Sequence, residues 1–95
     1  MNIGEAIRLA RKSQDIRQNV LAEIAGVTPA YLSLIESGEK NPTLDVLEAL
    51  AFALETPLPI LFLRTLEVSD IREEKQEAFK HIHPLLISIA NEFFD

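Results

Sequence analysis

Two histidines, His81 and His83, are the side chains of this sequence best suited to binding a metal or to titrating near neutral pH. They are separated by one residue in the stretch HIH, and Glu77 precedes His81 by one helical turn. A metal site would have to form without cysteine, which the chain lacks, and beside Pro84. We therefore predict an exposed polar face here, without a metal or another cofactor. A titration that tunes the association of two chains is the alternative.

Catalytic groups of the familiar kinds do not come together in the sequence. No serine, histidine and carboxylate set is evident, and there is neither a glycine-rich phosphate loop nor a cysteine nucleophile. We predict that the protein is not an enzyme. The lack of cysteine is typical of a cytoplasmic protein. No uncharged stretch approaches the roughly 20 apolar residues that span a bilayer, so no membrane partner is expected.

The spacing of the apolar residues predicts an all-α fold, because no run alternates with the period of a strand. Asn2 can cap the first helix, and Thr28 followed by Pro29 is a typical helix start. The predicted helices run from Ile3 to Lys12, from Gln18 to Ala25, from Pro29 to about Ser37, from Leu44 to Leu54, from about Ile60 to Leu66, and from Ile71 to Phe94 with a kink or restart at Pro84.

The second and third of these helices form a unit. Helices that cross steeply need a small residue where they are closest, which Ala22 provides, and the tight turn between them needs positive φ, which suits Gly26. The wedge between the two helices and the rest of the core is filled by Leu21, Val27, Leu32 and Ile35. This is the spacing of the helix-turn-helix, whose second helix enters the DNA major groove.

On these residues the chain resembles the Cro and phage-repressor-like helix-turn-helix regulators, often called the Xre family. The matching positions are Gly4, Ile7, Arg11, Gln18, Leu21, Ala22, Ala25, Gly26, Val27, Tyr31, Leu32, Ser33, Ile35, Glu36, Gly38, Pro42, Thr43, Leu44, Leu47, Leu50, Ala51 and Leu54. The resemblance covers roughly residues 3–63. It implies a five-helix, lambda-repressor-like DNA-binding domain, which we place at residues 1–66, followed by a C-terminal helical segment at 67–95.

The resemblance also implies roles for individual positions. The base-reading face of the third helix would consist of Thr28, Pro29, Ala30, Ser33 and Leu34. The contacts to DNA phosphates would come from Arg17, Gln18, Lys40 and Asn41. Arg11 and Glu36 resemble the family's partly buried ion pair, which joins the first helix to the end of the third.

Two positions depart from the family pattern. Arg17 stands where a serine or threonine usually caps the second helix, so a cap is lost while a cation is gained near the expected phosphate. The reading face has no long polar side chain, and its chemistry is limited to the hydroxyls of Thr28 and Ser33 and to apolar contact of Ala30 and Leu34 with thymine methyl groups. We therefore expect modest discrimination among bases, with shape readout or the flanking cations as compensation.

The C-terminal helix carries more apolar surface than a small domain can cover. Its seam has the 3, 4, 3, 4 spacing of a coiled coil and consists of Phe79, Ile82, Leu86, Ile89 and Phe93. We predict that this seam pairs with a second copy to form a homodimer. Packing within one chain is the alternative. A dimer would place two reading helices about 34 Å apart, the spacing of successive major grooves.

The net charge of −6 is unusual for a DNA-binding protein, because neutralising phosphates supplies much of the affinity for DNA. It is spread evenly, with five basic and eight acidic side chains in residues 1–60 and four and seven in residues 61–95. Two hypotheses follow. The first is a prokaryotic or phage transcriptional regulator, repressor-like, that binds an operator in double-stranded DNA as a homodimer. The second is a protein-interaction module, antirepressor-like or antitoxin-like, that keeps the fold and binds DNA weakly or not at all.

Overall fold

The computed structural model describes residues 2–94 and contains six α-helices joined by short loops. They are α1 (Ile3–Ser13), α2 (Gln18–Ala25), α3 (Pro29–Glu36), α4 (Leu44–Ala53), α5 (Leu58–Thr65) and α6 (Gln76–Phe94), with 3₁₀ turns at Val68–Asp70 and Glu73–Lys75 between the last two. No strand occurs within residues 2–94. The predicted all-α fold is confirmed.

Side-chain caps fix where three of these helices begin. Asn2, Thr28 and Thr43 each accept a hydrogen bond from the backbone N–H three residues later, at 3.0, 3.1 and 3.3 Å. Each bond satisfies one of the amide groups that a helix leaves unpaired in its first turn. Pro57 precedes α5, and Pro59 fits its first turn. Helix α5 therefore starts two residues before the predicted Ile60.

The core lies among the first five helices, which position the candidate site. Its largest fully buried side chains are Ile7, Leu21, Leu32, Ile35, Leu50, Leu54 and Leu61. Gly4 on α1 lies directly against the backbone of α3, since a Cβ added to it would overlap the carbonyl oxygen of Ile35. Of the buried apolar residues, Ala90 alone comes from α6.

Helix α6 begins at Gln76, five residues after the predicted start, so that part of the prediction is wrong. The side chain of Asp70 accepts a hydrogen bond from the backbone N–H of Glu67 at 2.9 Å, and this contact lowers the pKa of the Asp70 carboxyl. The amide of Gln76 donates to the carbonyl oxygens of Val68 and Ile71 at 3.1 and 3.0 Å. Such local bonds compete with helix formation and hold residues 68–75 in turns.

Pro84 lies inside α6, and the helix continues through it without a restart. Proline lacks the backbone N–H that would donate to the carbonyl of Lys80, so one backbone hydrogen bond of the helix is missing there.

Within the part of the chain that the structure describes, no single helix has the length and apolarity needed to cross a membrane. Helices α4 and α5 reach the required length and apolarity only when they are counted together, and the chain bends by 100° at their junction.

Candidate nucleic-acid interface

Helix α3 presents an uncharged face to solvent. Thr28, Pro29, Ala30 and Ser33 are exposed there and Leu34 is half-buried, whereas Leu32 and Ile35 on the opposite side are fully buried. The predicted base-reading residues therefore share one accessible surface. This surface offers two hydroxyl groups and small apolar groups, but no side chain that could make a bidentate contact with a purine.

The turn between α2 and α3 fixes the angle between these two helices. Gly26 adopts a left-handed conformation with φ +76°, and the N–H of Val27 donates to the carbonyl of Ala22 at 2.9 Å. Ala22 is fully buried where the two helices meet. Ala22 and Gly26 therefore have the predicted roles at the helix contact and in the turn. Helix α3 is held in place by backbone geometry as well as by packing.

The start of α2 has backbone donors to offer. Arg17 stands at its N-cap, is exposed and makes no capping bond with its side chain. The N–H groups of Gln18 and Asn19 have no acceptor among the described residues, because only Val20 and Leu21 bond back to the Arg17 carbonyl. Free amides at a helix N-terminus together with a cation favour an anionic ligand.

A partly buried ion pair joins α1 to the end of α3. Nε and Nη2 of Arg11 donate to Oε2 and Oε1 of Glu36, both at 2.9 Å, in bidentate geometry. The side chains of Arg11 and Glu36 are 11% and 3% exposed. The remaining guanidinium nitrogen, Nη1, donates to the carbonyl of Ile16 at 2.9 Å and so fixes the loop before α2.

Gln18 extends this pair to α2. Its Nε2 donates to Oε1 of Glu36 at 3.1 Å. An amide nitrogen carries two N–H donors, so one stays available beside the engaged one. The predicted phosphate contact and the predicted ion pair thus belong to one network, which ties three helices together at the base of the exposed face.

Lys40 and Asn41 lie in the loop that follows α3, and both are exposed. The loop turns at Gly38, whose φ is +83°. The N–H groups of Glu39 and Lys40 both donate to the carbonyl of Leu34, at 2.9 and 3.1 Å. The backbone that carries Lys40 is therefore fixed against α3, while the ammonium group reaches into solvent.

Two further cations, both on α1, lie on the same surface. Arg8 and Lys12 of α1 line a shallow depression together with Arg11, Gln18, Ser33 and Glu36. Lys12 has no carboxylate within ion-pair distance among the described residues. The i, i+4 spacing of Arg8 and Lys12 on α1 was the available signal, since it puts both on one helix face.

The charge of this depression differs from that of the chain as a whole. Three cations and two carboxylates, Glu5 and Glu36, line it, whereas the whole chain carries −6. Both carboxylates are already paired, Glu5 with Arg8 at 2.6 Å and Glu36 with Arg11. The hydrogen bond from Arg8 lowers the pKa of the Glu5 carboxyl. The acidity of the chain lies mostly elsewhere.

The predicted dimerisation seam is largely exposed on α6. Ile82, Leu86, Ile89 and Phe93 face solvent, and Leu85 and Phe94 are exposed beside them. Phe79 differs, since it is half-buried and its ring stacks on His83 at a centroid distance of 4.6 Å.

The two histidines of the HIH stretch make different contacts. Nε2 of His83 lies 2.9 Å from the carbonyl oxygen of Leu63 and so connects α6 to α5. His81 is exposed and lies 3.9 Å from the Glu77 carboxylate. The two imidazoles do not converge, and no group of three metal-binding side chains occurs among residues 2–94.

Residues 7–61 match the helix-turn-helix family HTH_3, which is more than half of the chain. The control protein C.SmaI of Serratia marcescens is 39% identical over 62 residues, which cover 65% of this chain and 74% of that protein. The immunity repressor protein of Bacillus phage phi105 is 43% identical over 54 residues, 57% of this chain and 38% of the repressor.

An HTH-type transcriptional regulator of Mycobacterium tuberculosis is 38% identical over 61 residues, 64% of this chain. The matched region is only 44% of the length of that regulator. The family match falls on the first five helices and the turns between them.

Proposed function

This chain belongs to the helix-turn-helix family of transcriptional regulators, which is not a family of enzymes, and on that basis we propose that it is a repressor-like regulator that binds an operator in double-stranded DNA as a homodimer. Residues 1–66 form the DNA-binding domain in this proposal, and residues 67–95 form the dimerisation segment. The observation that carries the proposal is the exposed face of α3, flanked on both sides by donors for phosphate.

Helix α3 enters the major groove with Thr28, Pro29, Ala30, Ser33 and Leu34 toward the bases. The Thr28 and Ser33 hydroxyls hydrogen-bond to base edges, and Ala30 and Leu34 contact thymine methyl groups. Because none of these side chains can bond a base in bidentate fashion, little sequence discrimination comes from direct contacts. The rest comes from the shape and deformability of the operator.

Phosphate contacts supply most of the affinity. Arg17, Gln18, Lys40 and Asn41 bind the backbone on either side of the groove, and Arg8 and Lys12 add positive charge next to Gln18. Each neutralised phosphate releases counterions, so the affinity falls steeply as salt rises.

The homodimer pairs the exposed faces of two α6 helices. Ile82, Leu85, Leu86, Ile89 and Phe93 lie along one side of α6 and are each 42–73% exposed. A contiguous row of large apolar side chains left in water is typical of a protein–protein interface. Pairing the two copies along α6 also doubles the number of phosphate contacts.

The direct test is fluorescence anisotropy with the DNA just upstream of the gene that encodes this chain, beside a scrambled duplex, at several salt concentrations. We expect preferential binding to the first duplex and a steep decrease with salt. Lys40→Ala should weaken binding to both duplexes and reduce the slope of log affinity against log salt by about 1.

Lys75→Ala is the matched control, since Lys75 is an equally exposed lysine in a 3₁₀ turn far along the chain from the reading helix. It should leave the slope unchanged. If the folded protein does not bind either duplex even at low salt, the proposal is wrong. The protein-interaction module, which the charge of −6 favours, then takes its place.

A further inference from the structure

A second exposed apolar surface lies away from the reading helix, where the end of α2, the end of α4 and the start of α5 meet. It is an open groove of about 690 Å³, and its lining includes Ile24, Phe52, Pro57, Leu58 and Phe94. Its lining includes neither a residue of α3 nor any of the residues proposed for phosphate contact. The groove therefore has no part in the proposed DNA contacts.

Phe52 is the most unusual residue of this groove. It is 85% exposed, and Ile24 next to it is 57% exposed, although the fold offers both helices a buried side. Leu50, Ala51 and Leu54 already supply the core contacts of α4, so Phe52 adds little to the packing of this chain. Large exposed aromatic side chains are typical anchors of protein interfaces.

The charges around the groove restrict what can cover it. Glu48 and Glu55 line it, and no basic side chain does. Glu23, next to Ile24 on α2, is exposed as well. Carboxylates at this density repel the phosphates of DNA. They also oppose a symmetric contact between two copies, which would bring the Glu48 and Glu55 carboxylates of both copies into one interface.

We propose that this groove is a docking site for another protein, which presents an amphipathic segment with apolar side chains on one face and lysine or arginine along the edges of that face. The apolar face covers Phe52 and Ile24, and the cations pair with Glu48 and Glu55. The groove shares no residue with the DNA-binding face and meets α6 only at Phe94, so the regulator can hold its partner while it is bound to an operator.

The probe is a fluorescent synthetic helix with leucine and phenylalanine on one face and lysine along the edges of that face, and the comparison peptide carries glutamate in place of lysine. Anisotropy with the full chain should show binding of the lysine peptide only. Phe52→Ala should weaken this binding at least about tenfold, the loss of an interface anchor. Because Phe52 is exposed, the variant should melt and bind DNA as the parent does.

The double substitution Glu48→Gln with Glu55→Gln should weaken the lysine peptide about tenfold and make its binding less sensitive to salt. Glu73→Gln with Glu74→Gln removes the same charge from the exposed turn before α6 and should have little effect. Equal losses from the two pairs would mean that the peptide senses only the net charge, and the proposal would be overturned.

Two further outcomes would also overturn it. One is unchanged peptide binding by Phe52→Ala. The other is conversion of a dimer into a monomer by Phe52→Ala in sedimentation velocity, which would make the groove a contact between copies of this chain. DNA binding is measured separately on the same variants, so that a failure of the docking site is distinguished from a failure of the proposed DNA binding.

Discussion

Glu36 is the residue on which the geometry of the reading surface depends most directly. Its carboxylate is almost fully buried and accepts two hydrogen bonds from Arg11 and one from Gln18. A buried charge is tolerated only when it is paired and hydrogen-bonded, because its desolvation is expensive. The pair is therefore a poor source of net stability but a strong constraint on how α1, α2 and α3 meet.

Arg11→Met should lower the free energy of unfolding by about 3–5 kcal/mol, since it leaves the Glu36 carboxylate buried without its main partner. Adding Glu36→Met removes the stranded charge and should recover most of that loss. Urea denaturation of the two single variants and the double variant measures this coupling. Additive losses in the double variant would mean that the two side chains act independently.

Gly4 controls the distance between α1 and α3 at the scale of the elements. Alanine in its place would gain roughly 0.5–1 kcal/mol of helix propensity. The added methyl group would, however, overlap the carbonyl oxygen of Ile35, which is backbone and has no rotamer to change. Overpacking of this kind costs about 1–3 kcal/mol, so steric overlap outweighs propensity.

Gly4→Ala should therefore destabilise the protein, and it should weaken DNA binding by displacing α3. Gly26→Ala is the informative contrast, because nothing lies within 4 Å of its added Cβ while its φ of +76° disfavours any side chain. It should cost about 1–2 kcal/mol through backbone strain alone. Thermal melting measures both losses, and a Gly4→Ala variant at least as stable as the parent would contradict the close approach.

The sequence was informative about elements wherever the signals were local. Thr28 with Pro29, and Gly26 after Ala25, mark helix ends by capping and by positive φ, and α2 runs over the predicted residues. The start of α6 was missed because it depends on side chains that bond across the turns, with Gln76 reaching back to Val68 and Ile71. Nothing in helical periodicity reports such bonds.

The sequence indicated which residues belong to the candidate site, but it did not indicate which of them contact one another. The family pattern placed Gln18 and the Arg11–Glu36 pair, but periodicity alone does not show that Gln18 donates to Glu36. The acidic groove was missed for a similar reason. Ile24 and Phe52 are far apart in sequence, and on their own helices each reads as an ordinary apolar position.

The whole molecule combines an acidic chain with a locally compensated reading surface. Glu5 and Glu36 are each paired with an arginine there, while Lys12 has no such partner among the described residues. A net charge of −6 then weakens non-specific attraction to DNA at long range without preventing phosphate contacts at short range. We therefore expect binding of DNA by one copy to be weak, and pairing of two copies to be needed for useful affinity.

Ile89→Glu should dissociate the proposed dimer, because it places a carboxylate in the middle of the α6 seam, and should weaken operator binding at least about tenfold. Leu9→Glu on α1 is the matched control, as Leu9 is 54% exposed and Ile89 is 56% exposed. The control should remain dimeric. Sedimentation velocity at micromolar concentration decides the matter, and a monomeric parent protein would refute the role given to α6.

Helix α6 contributes one residue, Ala90, to the buried apolar set, while the other members belong to the first five helices. In the proposed dimer, the DNA-binding domain and the pairing helix are thus nearly independent parts. In evolution, or in an engineered regulator, we expect that α6 can be exchanged for a helix of different pairing preference with little cost to the DNA-binding domain. Two such regulators in one cell would then avoid forming mixed dimers through a change in one helix.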